Sequence, residues 1–169
     1  MTTIDYKSGD VLFWKSRGAF WDRFIGLVSP GFSHVAIYLG DNSVLEARAF
    51  YGVRKVTLDK IGNPDSVIRL LLDPFTIEKG ITDYGLSHIG EYYSIPSGVL
   101  CGLLRLLGLR KSADKVDKNW FCSELTAYVL RFGMGVNIMT GIAISDILPD
   151  DVYQSLLGIG EQVYGPSLH

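Results

Sequence analysis

The order of patterns along this chain predicts an α+β fold, with an antiparallel sheet covered by helices. Segments of strand character fill the stretch before Pro74, and helical periodicities dominate after it. No internal repeat or low-complexity linker separates the two halves. At 169 residues, 47% apolar and 20% charged, the chain is long enough for one substantial core and reads as a single domain, 1–169.

Gly9 to Trp14 reads as the first strand. Phe20, Trp21, Phe24, Ile25 and Val28 fall at helical spacing, and Pro30-Gly31 ends that helix. Phe32 to Leu39 alternates and is rich in β-branched and aromatic residues, hence a strand. Gly40-Asp41-Asn42 is turn chemistry, Ser43 to Phe50 returns as a strand, and Gly52–Leu58 and Ser66–Leu72 follow as two more. Beyond Pro74, helices are predicted over Thr76 to about Ile89, Ser97 to Leu109 and Ser123 to Phe132, with a short last one inside Ser145–Leu157. Lys111 to Lys118 is a solvated connector between them.

Several function classes are disfavoured. A net charge of −2 without a basic stripe gives no footprint for nucleic acid. Two cysteines in unlike contexts form no disulfide framework, and Cys101, inside an apolar run, reads as a buried or interface thiol. No CxxC or Cys/His cluster has metal-ligand spacing, so neither a metal nor another cofactor is expected. Met1 to Lys7 lacks an apolar signal core, so the expectation is a cytoplasmic chain or one delivered without a visible signal peptide. Ile95 to Leu109 is the most apolar stretch, but it holds Pro96 and Arg105 and is too short to span a bilayer.

The chemistry centres on Cys122, which opens a helix whose apolar stripe continues at Leu125, Tyr128 and Val129. A thiol there faces unsatisfied backbone N–H groups and the positive end of the helix dipole. That position and a nearby imidazole are two devices that turn a thiol into a nucleophile. The plain alternative is a buried structural cysteine.

His34 supplies an imidazole. It shares one strand face with Ala36 and Tyr38, while Val35, Ile37 and Leu39 form a core-like opposite face. Small Ala36 leaves room beside the histidine for another element. Glu46 lies in the next strand. A three-residue loop at 40–42 sets Ala36 opposite Glu46 and makes His34 its diagonal neighbour on one face. A two-residue loop puts them on opposite faces. With the first register, Cys122 attacks a carbonyl, His34 takes its proton, and Glu46 holds the imidazole tautomer. The backbone N–H of Cys122 is then the natural oxyanion donor. In the plain alternative, Glu46 pairs with Arg48 or Arg54 on an exposed face.

Gly9-Asp10-Val11-Leu12, Ser33 to Gly40, Val44-Leu45-Glu46-Ala47 and Phe121 to Leu125 together resemble the permuted, YiiX-like branch of the NlpC-type cysteine hydrolases. The order histidine, acid, cysteine is the one circular permutation produces. The resemblance implies a papain-like fold, with Cys122 as nucleophile, His34 as base and Glu46 as the orienting third residue. It also implies that Tyr93 lines the site or assists the oxyanion, although Ser94 stands where the family has aspartate. Ser123 either meets substrate or satisfies the first helical turn, and Asp10 is a structural turn residue. His88 and His169 receive no role.

The leading expectation is a cysteine amidase or endopeptidase acting through an acyl-thioester, with cell-wall peptide amides as the substrate class the resemblance suggests. A lipid-directed acyltransferase or thioesterase, with 95–109 as a peripheral membrane contact, is the second. A non-catalytic binding module is the third.

Overall fold

The alternating segments before Pro74 form five strands of one antiparallel sheet in the computed structural model, which describes residues 4–17, 29, 31–93, 107 and 119–165. The strands are β1 (Val11–Trp14), β2 (His34–Gly40), β3 (Ser43–Arg48), β4 (Gly52–Thr57) and β5 (Ser66–Leu70). The helices expected at 20–28 and 97–109, the connector at 111–118, Cys101, Ser94 and His169 lie outside the described residues. β6 (Tyr92–Tyr93) and β7 (Asn119–Trp120) form a small parallel pair. β8 (Gly160–Tyr164) completes the main sheet in the order β4-β3-β2-β1-β5-β8. Sequence periodicity does not disclose β8, because this edge strand is half-exposed and lacks an apolar alternation.

Four helices flank the sheet among the described residues: α1 (Leu58–Ile61), α2 (Pro74–Gly80), α3 (Cys122–Tyr128) and α4 (Pro149–Leu157). Pro74 occupies the first turn of α2, and the Asp73 carboxylate caps it by accepting from Thr76 N at 2.9 Å. α2 and α3 each run on into a π-helical turn, at Ile81–Gly85 and Val129–Gly133. They meet at a glycine pair, where a β-carbon on Gly80 would stand 2.8 Å from the carbonyl carbon of Gly133. No helix among the described residues is long and apolar enough to cross a membrane.

Both faces of the sheet are covered. Val35, Ile37 and Leu45 pack against Leu125, Ala127 and Leu130 in the larger core, so α3 lies on the face expected to be core. The face bearing Ala36 is filled as well. There Leu12, Trp14, Ala36, Tyr38, Val44 and Val67 pack beneath Leu58, with Tyr6 and Ile61 against them. The room beside Ala36 is therefore taken by α1 and by the segment before β1, not by the cysteine helix.

The β2–β3 hairpin corrects the expected loop. Asp41 and Asn42 form a two-residue turn with φ of 46° and 55°, the primed geometry that suits the twist of a hairpin. On its own, that turn would place His34 and Glu46 on opposite faces. The pairing instead shifts between Tyr38↔Val44 and Gly40↔Ser43, so Leu39 is an extra residue in a bulge. Gly40, at φ 93°, supplies the conformation this bulge needs. Ile37 then pairs with Leu45, and His34 and Glu46 share a face.

Candidate active site

The cleft forms at one end of the sheet, where β1 and β3 stop and β2 and β4 begin. Strand ends let side chains from both faces converge, which no mid-strand position allows. Trp14 and Lys15 come from β1, Ser33 and His34 from β2, Phe50 and Tyr51 from the β3–β4 turn, and Tyr93 and Cys122 close the wall. The enclosed space is about 220 Å³.

His34 is the first residue of β2 and pairs across the ladder with Trp14, whose ring centroid lies 5.5 Å from the imidazole. Its Nε2 is 2.7 Å from Oε2 of Glu46, whose side chain is fully buried. Cross-strand pairing sets Arg54 opposite Glu46, and its Nε and Nη2 donate to Oε1 at 2.9 and 2.6 Å. The guanidinium in turn sits 4.2 Å over the Tyr51 ring. Arg48 Nη1 lies 3.9 Å from Oε2. The pairing of Glu46 with an arginine weighed from sequence is present, but on a buried carboxylate that also holds the histidine.

Cys122 opens α3 after Phe121, whose extended backbone (φ −112°, ψ 168°) turns the chain into the helix. The residue is only 2% exposed, yet it lines the cleft together with His34. Burial works against a charged imidazole. Hydrogen bonds from Cys122 and Glu46, together with their charge, outweigh it and raise the His34 pKa from 6.5 to about 9. Burial likewise favours a neutral Glu46, but His34 first and Arg54 second lower its pKa from 4.5 to about 2. The carboxylate is held as an anion and the ring as a cation in its contact.

The fold brings Cys122, His34, Glu46 and Tyr93 together and leaves Ser123 apart. The hydroxyl of Ser123 is buried and donates to the Ile147 carbonyl at 2.5 Å, tying α3 to the segment before α4. Asp10 accepts from Arg69 Nε and Nη2, each at 2.8 Å, and from Lys7 N, and so joins β1 to β5 away from the cleft.

Two supports carry no signal in the sequence, and a third, Arg54, is weighed there only as a surface partner of Glu46. Asp150 accepts from Gly31 N at 2.7 Å and Phe32 N at 2.9 Å, fixing the approach to Ser33 and His34. Its partners are 118 and 119 residues away, so no local pattern reveals them. Arg54 is visible only as an opposite charge in the neighbouring strand. His88, assigned no role, has its Nδ1 2.9 Å from Glu91 Oε2, which also accepts from Trp120 Nε1 at 2.5 Å. This cluster braces Trp120, two residues before Cys122. No group of three or more His, Cys, Asp or Glu that could hold a metal ion occurs among the described residues.

No protein-family model matches the chain. It is 30% identical to the probable lipoprotein peptidase YaeF of Escherichia coli (strain K12), a match over 73% of this chain and 55% of that protein. The chain thus spans about half the length of that curated relative. Among solved structures, metalloprotein YiiX from Escherichia coli O157:H7 superposes with a TM-score of 0.57 at 19% identity, covering 95% of this chain and 89% of YiiX. That likeness concerns the fold: an α+β domain with a six-stranded antiparallel sheet. The chain belongs to the YiiX-like family.

Proposed function

We propose that the chain is a cysteine hydrolase that cleaves amide bonds in peptides, with Cys122 as nucleophile, His34 as acid and base, and Glu46 as the group that orients the imidazole. The observation that carries this reading is the use of the imidazole: Nε2 is committed to a buried carboxylate while the ring and Cys122 line the same cleft. That leaves Nδ1 as the nitrogen for the sulfur. The peptidase name of YaeF supports the reaction class, and the order His34, Glu46, Cys122 is that of a permuted papain-like domain.

The sulfur attacks the scissile carbonyl carbon and its proton resides on His34. The oxyanion that develops is met by the backbone N–H of Cys122 at the start of α3, with the Tyr93 side chain on the same cleft wall. Collapse of the tetrahedral species breaks the C–N bond, and His34 gives its proton to the departing amine. Water, deprotonated by the same ring, then hydrolyses the thioester. Through both halves Glu46, itself fastened by Arg54, keeps the ring oriented.

Cell-wall peptides are the substrate class we propose. Purified protein is expected to release new amines from peptidoglycan peptide fragments, and Cys122→Ala is expected to abolish that release with the fold retained. Equal turnover by Cys122→Ala would eliminate the mechanism.

A further inference from the structure

The charge around the cleft does not follow from the charge of the chain. The whole sequence carries −2, yet Lys15, Arg17 and Arg48 line this opening, and no Asp or Glu lines it among the described residues. The two carboxylates behind the wall are already engaged. Asp65 Oδ2 accepts from Lys15 N at 2.8 Å and from Arg17 Nη2 at 3.3 Å, and that guanidinium also donates to the Asn63 carbonyl. Glu46 is committed to His34 and Arg54. Arg17 is therefore neutralised, whereas the Lys15 ammonium has no hydrogen-bond or ion-pair partner among the described residues. Arg48 has only the 3.9 Å approach to Glu46, and its side chain is 41% exposed.

Two cations without a hydrogen-bonded carboxylate thus line one small cleft, whose walls include the rings of Trp14, Phe50, Tyr51 and Tyr93. Low-polarity walls strengthen the attraction of such a pair for an anion beyond its value on an open surface. Arginine adds a planar fork that matches a carboxylate with two parallel hydrogen bonds.

We propose that Lys15 and Arg48 form an anion-recognition subsite beside the thiol, selecting peptides that carry a carboxylate next to the cleaved amide. This rests on the hydrolase reading above and names the substrate feature that the same cleft selects. The two residues bind and position the peptide, and the chemistry stays with Cys122 and His34.

The test pairs peptides that differ only in Glu or Gln beside the scissile bond, assayed with the native protein, Lys15→Gln, Arg48→Gln and the double variant. The native protein is expected to favour the acidic peptide by about tenfold or more in kcat/KM, chiefly through KM, as a charge-assisted contact gives. That preference is expected to shrink with added salt and to fall to about twofold in the double variant. Lys15→Gln guards against misfolding, since it alters a side chain without a described partner, and its urea midpoint should match the native one. Equal use of both peptides by the native protein overturns the subsite, as does a preference that survives the double variant.

Calorimetric binding of the uncleaved pair to Cys122→Ala separates the two readings. Acidic-selective binding to Cys122→Ala, with neither peptide turned over by the native protein, sinks the hydrolase and leaves the subsite standing. Turnover without selectivity does the reverse. Preference for a phosphate-bearing lipid ester over the acidic peptide, lost in the same variants, would overturn the peptide carboxylate as the anion.

Discussion

Replacing Glu46 by Gln tests the centre of the site, because the amide keeps the volume and removes only the charge. His34 rises from 6.5 to about 9, and Glu46 falls from 4.5 to about 2. Either change corresponds to about 3 kcal/mol at 1.36 kcal/mol per pH unit. The two share the His34–Glu46 contact, to which Cys122 adds on the histidine side and Arg54 on the carboxylate side, so they are not summed. Glu46→Gln should therefore destabilise the fold by about 3 kcal/mol near pH 6, within the range for breaking a buried ion pair. The signs define the window. A raised histidine pKa stabilises fully below 6.5 and its contribution is lost as pH climbs toward 9; a lowered carboxylate pKa stabilises fully above 4.5 and is lost as pH falls toward 2. The native protein should thus be most stable between about 4.5 and 6.5 from this pair, and the variant should show a flatter profile. Urea unfolding across pH measures the first effect. Proton NMR of the His34 ring measures the second, with the midpoint expected to drop from about 9 by one pH unit or more. A variant that keeps the native midpoint, or loses less than about 1 kcal/mol at pH 6, would refute the coupling of these groups.

Two further outcomes follow from the cleft and its surroundings. Ser123→Ala removes the buried donor to the Ile147 carbonyl and should cost about 1–3 kcal/mol by urea denaturation, with KM unchanged; a large rise in KM at native stability would instead mean that Ser123 touches substrate. Phe50 holds φ 68° while 78% exposed at the cleft rim, a conformation that Asn tolerates. Phe50→Asn should raise stability by roughly 0.5–1 kcal/mol and weaken peptide binding, and a lowered urea midpoint would show that the ring stabilises the fold more than its backbone strain costs.

Much of the architecture is legible along the chain because its signals are local. Period-two alternation marks β2, Pro74 closes the strand-rich half ahead of α2, and the stripe after Cys122 marks α3. The same locality singles out the three residues proposed for the site, each recognisable by type and by the element that carries it. β8 escapes because an edge strand with half-exposed residues leaves no periodic mark. The two π-turns escape too, and so does the close approach of Gly80, at the end of α2, to Gly133, at the end of the second π-turn.

Sequence by itself determined that a thiol at a helix start, a strand histidine and an acid in the adjacent strand belong to an α+β domain. Tertiary structure decided whether they meet. A two-residue turn at Asp41-Asn42 would have parted His34 from Glu46, and the bulge at Leu39 restored the shared face. Burial of the Glu46 carboxylate depends on Arg54 from the next strand, and the course of the chain into His34 depends on Asp150 from the far end. Such partners are set by backbone register and by contacts across more than a hundred residues. Local propensity carries no record of either.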